Sequence, residues 1–81
     1  MIRTWLNKEL RQVDTTASMI FTIEELVAHL SVSNTLLPGT VILTGTPAGT
    51  GKQQDPPTYL KTGDSITIEI DGLGVLENTV L

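Results

Sequence analysis

The chain has 81 residues, no cysteine and one histidine, and its five basic and nine acidic side chains give a formal net charge of −4. This length predicts one small domain, and the composition excludes disulfides and zinc sites built from cysteine or several histidines. The few basic residues are scattered, which argues against a nucleic-acid partner. No apolar run reaches the roughly 18–20 residues of a membrane span. The first residues lack the apolar segment of a signal peptide, so the expected location is cytoplasmic.

The first half of the chain predicts a β-hairpin followed by one helix. Ile2–Asn7 alternates polar and apolar residues, as strands do, and a turn at "NKE" would bring back Leu10–Val13. A helix is predicted over "TIEELVAHLSVS", because Thr22 is a good N-cap and Glu25, three residues later, completes a capping box. The apolar stripe expected to face the core is Ile23, Leu26, Val27 and Leu30.

The second half predicts two further strand regions. Thr40–Thr44 is β-branched and apolar, which is typical of a buried strand. The long loop Gly45–Asp64 follows, and a loop of this length is usually functional or disordered. Ser65–Ile70 alternates strictly, and Val75–Leu81 returns after a turn. The predicted fold class is mainly β with one helix (α+β). Because the first of these strands is apolar on both faces and little could cover it, the fold is expected to be incomplete.

Three carboxylates near the C-terminal hairpin are candidate metal ligands, since hard cations need several converging oxygens. Glu69 and Asp71 share a strand face, and Glu77 lies on the return strand. The same face carries Ser65 and Thr67. A solvated strand face is therefore the favoured interpretation.

Other chemistry-bearing residues have structural explanations. Glu24 and Glu25 in the first turn of the predicted helix complement its dipole. His29 lies off the apolar stripe and is expected to be exposed, without the partner and pocket that a catalytic histidine needs. Trp5 is expected to pack against other side chains rather than to stack on a ligand.

The stretch "LTGTPAGTGK", Leu43–Lys52, suggests a phosphate-binding loop, but its spacing disfavours one. The motif G-x-x-x-x-G-K-[ST] needs glycine where Thr46 stands and a hydroxyl where Gln53 stands. Two consecutive prolines, at 56 and 57, also prevent the helix that must follow. Two interpretations stay open: a turn whose glycines, Gly45 and Gly49, let backbone N–H groups approach an anion, or a glycine-rich structural turn.

Longer stretches carry a family resemblance. "LPGTVILTGTPAGTG" and "PPTYLKTGDSITIEIDGLGVLENTV" resemble the C-terminal part of the fumarylacetoacetate hydrolase family, and "TWLNKELRQ…TTASMIFTIEELVAHLS" resembles the segment before it. The likeness covers almost the whole chain. It implies that residues 1–81 are the C-terminal portion of such a catalytic domain and belong to its mixed β-roll. The sequence departs from the family pattern at Lys8, where the family usually has glycine, and at Thr40, where it usually has aspartate.

The resemblance also implies an activity. Family members hydrolyse, isomerise or decarboxylate small 2-oxo and β-diketo acids with Mg²⁺ or Mn²⁺, and they are commonly homodimers. Their metal ligands and catalytic dyad lie before the matched region. No catalytic or metal residue is therefore assigned in this chain, which alone is expected to hold no metal and to be inactive. Whether it is itself an enzyme is left open.

One functional position matches the family. The threonine of its Gly-Thr-Pro turn lines the substrate site near the ligand's carboxylate, which implies substrate binding by Thr46 with Gly45. The alternative is a non-enzymatic β-rich association module that pairs with another chain.

Overall fold

The computed structural model describes all 81 residues. It contains one antiparallel sheet and one α-helix, which confirms the mainly β fold class with one helix. The sheet order is β2-β1-β3-β4. No helical segment has the length and apolar character needed to cross a membrane. The elements are β1 (Ile2–Leu6), β2 (Glu9–Asp14), α1 (Ile23–Leu30), β3 (Ser65–Ile70) and β4 (Gly74–Thr79), with 3-10 turns at Thr16–Ser18 and Gly51–Gln53.

The chain divides into two compact units. One comprises residues 1–15 and 46–81 and contains the sheet, while the other comprises residues 16–45 and contains α1. No apolar side chain is fully buried in either. The chain exposes 6666 Å², whereas a folded monomer of its mass of 8.7 kDa would expose about 4,700 Å². Much apolar surface therefore stays open to solvent.

The pairing of the two central strands, β1 and β3, gives the sheet two chemically different faces. Ile2, Thr4 and Leu6 of β1 lie opposite the three isoleucines of β3. On the other face Arg3 lies opposite Glu69. The pairing of β1 with β2 shifts after Thr4, because Arg11 is an extra residue on β2. Such a bulge reverses the faces of the residues beyond it.

The turn between β1 and β2 contains two residues in the left-handed region. Asn7 has φ 50° and Lys8 has φ 70°, as a two-residue type I′ turn requires. The Asn7 side chain donates to the Asp64 carboxylate over 2.9 Å and accepts the Ser65 N–H over 2.9 Å. The turn is thereby fastened to the start of β3.

Asp64 is the one buried polar side chain, with 5% of its surface exposed. Besides the Asn7 bond, its second carboxylate oxygen accepts the Lys61 N–H over 3.0 Å. These hydrogen bonds, led by the one from Asn7, lower the pKa of Asp64 from its ordinary 3.8. The ionised carboxylate therefore stabilises the loop that enters β3.

The helix begins as predicted but is shorter. The Thr22 hydroxyl accepts the Glu25 N–H over 3.1 Å. The Glu25 carboxylate accepts from that hydroxyl over 3.3 Å, rather than from the backbone as in a full capping box. Ser31 ends the helix. The expected burial of the apolar stripe is wrong: Ile23 and Val27 are exposed, because nothing within residues 16–45 covers them.

The predicted strand Thr40–Thr44 is also wrong. These residues have no regular structure, and no hydrogen bond engages the backbone of Val41–Gly45. Val41 is 82% exposed and Leu43 is 93% exposed. The physical reason is that a strand exists only as part of a ladder, and this segment has no neighbouring strand.

Candidate functional site

The glycine-rich loop that follows the apolar segment lies close to the sheet. A Cβ added at Gly49 would overlap the backbone carbonyl of Arg11, and one at Gly51 would overlap that of Thr58. Glycine is needed at both positions, because the loop backbone passes too close to another backbone segment to leave room for a Cβ. Gly45 differs, since nothing lies near its missing Cβ and only its φ of +95° favours glycine.

Backbone N–H groups of this loop already have an acceptor. The amide oxygen of Gln53 accepts the N–H groups of Gly49 and Thr50 over 3.0 and 3.1 Å. A neutral oxygen of the chain thus takes both of these N–H groups. Of the two interpretations left open for this turn, the structural one applies to Gly49, because an oxygen of the chain already accepts its N–H.

Thr46 has a fixed partner on the sheet. The Gln12 amide nitrogen lies 2.9 Å from the Thr46 hydroxyl oxygen and 2.9 Å from the carbonyl oxygen of Pro47. Gln12 lies on β2 opposite Thr4. The Thr46 side chain is exposed, so a ligand can reach it while the backbone behind it is held.

Gln12 is the site residue that sequence reasoning missed. In a regular strand, the sheet face of Gln12 follows from the faces of the residues before and after it. The bulge at Arg11 breaks this alternation within "LRQV". Bulges leave no reliable trace in a single sequence. The only sequence signal is the polar amide of Gln12 itself, on a strand position opposite Thr4, which in turn lies opposite Ile68.

A cavity of about 390 Å³ lies beside this contact. Gln12 and Gly49 line it, together with Trp5, Tyr59 and the cationic side chains of Arg11 and Lys52, and no carboxylate does. Because Trp5 faces the cavity, its expected role in packing stays a prediction. The cavity has the size of a small-molecule site, and its charged lining is positive only.

The three C-terminal carboxylates do not form a metal site. One guanidinium nitrogen of Arg3 lies 3.0 Å from Glu69 and 3.0 Å from Asp71, while Glu77 accepts from the Ser65 hydroxyl over 3.1 Å. The hydrogen bond and charge of Arg3 lower the pKa of Asp71.

The Arg3 guanidinium thus neutralises the two carboxylates that a metal ion would need as ligands. No group of three or more His, Asp or Glu side chains could hold a metal ion. The residues present therefore do not fit Mg²⁺ or Mn²⁺. His29 is exposed on α1, as predicted.

Comparison with known proteins identifies the family. Residues 1–81 match the family described as fumarylacetoacetate (FAA) hydrolase C-terminal. The chain belongs to the fumarylacetoacetate hydrolase family. Oxaloacetate tautomerase YisK of Bacillus subtilis is 47% identical over 79 residues, which are 98% of this chain and 26% of that protein. Mitochondrial oxaloacetate tautomerase FAHD2B of Homo sapiens is 46% identical over 76 residues, 94% of this chain and 24% of that protein.

Solved structures of this family share the fold. A fumarylacetoacetate hydrolase from Exiguobacterium antarcticum superposes with a TM-score of 0.93 at 43% identity, covering 98% of this chain and 28% of that one. A probable 2-hydroxyhepta-2,4-diene-1,7-dioate isomerase from Mycobacterium abscessus gives 0.87 at 41% identity, covering 94% and 29%. The chain spans about a quarter of the length of the curated relatives it matches.

Proposed function

We propose that these 81 residues are the C-terminal portion of the catalytic domain of a metal-dependent fumarylacetoacetate hydrolase-type enzyme. Its substrate is a small 2-oxo or β-diketo acid. Keto–enol isomerisation is the reaction we favour over C–C hydrolysis and decarboxylation. The observation that carries the proposal is the 47% identity, over 98% of this chain, to a protein named oxaloacetate tautomerase.

Thr46 and Gly45 are the proposed substrate contacts. The Thr46 hydroxyl is exposed and held by Gln12, which suits a group that must meet a ligand in one orientation. Gly45 has no side chain, and open space lies where a Cβ would be. A small carboxylate could approach the backbone there.

Residues outside these 81 supply the rest of the proposed site. Glu69 and Asp71 are engaged by Arg3, so we propose that Mg²⁺ or Mn²⁺ and the acid–base groups are held elsewhere in a longer or assembled enzyme. That enzyme is proposed to be a cytoplasmic homodimer. The isolated chain is then inactive, because it provides a wall of the site without its reacting groups.

A hybrid enzyme tests this proposal. The matching segment of the Bacillus subtilis tautomerase is replaced by this chain, and oxaloacetate enolisation is followed by absorbance. The hybrid should turn over oxaloacetate while the isolated chain does not. Thr46→Val should raise the KM about tenfold or more, because a hydrogen bond to a charged group is lost.

The matched control is Thr62→Val, whose hydroxyl bonds Leu81 over 3.3 Å and has no proposed ligand. It should leave the KM unchanged. A hybrid that folds and binds its metal but does not turn over oxaloacetate would contradict the proposal.

The second candidate, an association module, is favoured by a different observation. The backbone of Val41–Gly45 has no hydrogen-bond partner, and Val41 and Leu43 are among the most exposed apolar side chains. Such a segment can add as a strand to another chain. Sedimentation at micromolar concentration tests this function. Self-association or binding to a relative supports it, and a folded monomer that binds neither contradicts it.

A further inference from the structure

We infer that Gln12 is a positioning residue that holds the Thr46 hydroxyl as a hydrogen-bond donor toward an oxygen of the substrate. The inference deepens the proposed function and rests on it. It concerns the direction of one hydrogen bond, which the geometry around Gln12 determines.

The Gln12 amide has only one possible orientation. Its terminal atom lies 2.9 Å from the carbonyl oxygen of Pro47, and a carbonyl can only accept. That terminal atom must therefore be the NH₂ nitrogen, because an amide oxygen there would face another acceptor. The same nitrogen lies 2.9 Å from the Thr46 hydroxyl, and an NH₂ group of an amide only donates.

The direction of the bond leaves the hydroxyl proton of Thr46 unused. Its oxygen accepts from Gln12, and no acceptor within the chain takes its O–H. A ligand at this hydroxyl must consequently present an acceptor, which a carboxylate or keto oxygen does and an ammonium group does not. The exposed position of Thr46 leaves room for that ligand atom.

The arrangement also restricts the movement of Thr46. Both N–H groups of one amide hold two consecutive residues, Thr46 and Pro47. Proline fixes its own φ and confines the preceding residue to extended conformations. The hydroxyl is therefore oriented before a substrate arrives, which lowers the entropic cost of binding.

Three variants of the hybrid enzyme test the direction of this bond. Gln12→Met keeps the length of the side chain but removes both donors. Gln12→Glu keeps the shape and replaces donors by acceptors, so the Thr46 proton would turn toward the new carboxylate and away from the substrate. Thr62→Val is the control, since the Thr62 hydroxyl bonds the Leu81 carbonyl over 3.3 Å and Thr62 does not line the cavity.

The expected result separates positioning from folding. Gln12→Met should raise the KM for oxaloacetate about tenfold, and Gln12→Glu should raise it further. In both, kcat should change less than about twofold, because the lost contact serves ground state and transition state alike. The control should change neither constant. Equal KM values for the two Gln12 variants and the parent hybrid would overturn the inference.

A second measurement does not depend on turnover. In the 81-residue chain, Thr46→Val should shift the NMR resonances of the Gln12 side-chain NH₂ and speed its exchange with water, while Thr62→Val should not. An NH₂ group that is insensitive to Thr46→Val would contradict the inference. An inactive parent hybrid would instead contradict the proposed function, so the two failures are distinguishable.

Discussion

Two segments of this chain have strand-like sequences and different structures. Ser65–Ile70 forms β3 and pairs on both sides, with β1 and β4. Thr40–Thr44 is equally β-branched but forms no strand, and its apolar side chains are exposed. The difference lies in the neighbours: β3 has two, and Thr40–Thr44 has none. Strand propensity therefore measures how well a segment fits a sheet, and a partner decides whether it forms one.

The same proline substitution should affect the two segments very differently. Ile68→Pro removes a ladder hydrogen bond from the central strand and should destabilise the chain by about 3 kcal/mol or more. Ile42→Pro should change the free energy of unfolding by less than about 0.5 kcal/mol, because no hydrogen bond engages that backbone. Urea unfolding of both variants measures the contrast, and equal losses would contradict the assigned pairing.

Glycine substitutions should separate packed from unpacked loop backbone. At Gly49 a Cβ meets the Arg11 carbonyl and φ is +105°, so Gly49→Ala should destabilise by about 2–3 kcal/mol. Gly45→Ala meets nothing and should cost about 1 kcal/mol from its left-handed backbone alone. Thermal melting compares them. A smaller loss at Gly49 than at Gly45 would be inconsistent with the close passage against Arg11.

Acid should weaken the sheet-bearing unit through two carboxylates. Hydrogen bonding by Asn7 lowers the pKa of Asp64, and Arg3 lowers that of Asp71. Because both pKa values are lower in the folded chain, this stability is fully present above the ordinary 3.8 and is lost as the pH falls through the folded-state values. The melting temperature should therefore fall steeply below about pH 4.

Asn7→Ala should weaken that acid response. At neutral pH the variant should also lose about 1 kcal/mol of unfolding free energy, because the hydrogen bond from the Ser65 N–H is removed. Asn34→Ala, in residues 16–45, is the matched control. Melting curves from pH 2 to 7 compare the two variants with the parent chain. An undiminished acid response in Asn7→Ala would exclude the Asn7–Asp64 bond as its cause.

The smallest expected effect concerns the β1–β2 turn. Lys8 has φ 70°, which costs a non-glycine residue about 1–2 kcal/mol, while glycine loses about 0.5–1 kcal/mol more entropy on folding. Lys8→Gly should therefore stabilise the chain by about 0.5–1 kcal/mol. Lys52→Gly, where φ is not positive, should not stabilise it. Denaturant midpoints measure both, and a stabilised Lys52→Gly would remove the conformational explanation.

Local patterns predicted much of the fold correctly. The strand at Ser65–Ile70 and the Thr22 cap depend on residues near one another in sequence, and both were confirmed. The strand at Thr40–Thr44 and the buried stripe of α1 depend on what lies against them, and both predictions were wrong. A single sequence carries the propensity of a segment but not its partner.

The candidate site shows the same division. Thr46 was predicted from its match to the Gly-Thr-Pro turn, and its substrate role stays a prediction. Gln12 could not be predicted, because it is 34 residues away in sequence and a bulge shifts its register. A structural role for Gly49 was one of two open interpretations, and the close approach of Arg11 that decides it is a tertiary contact.

Amide hydrogen exchange in the 81-residue chain tests the difference between the two segments most directly. Amides of β3 that are bonded in the ladder should exchange on the order of a hundredfold more slowly than unstructured amides. Those of Val41, Ile42 and Leu43 should exchange at unprotected rates. Equal protection of both segments would show that Thr40–Thr44 has a strand partner, and it would contradict the conclusion that a missing neighbour keeps this segment out of the sheet.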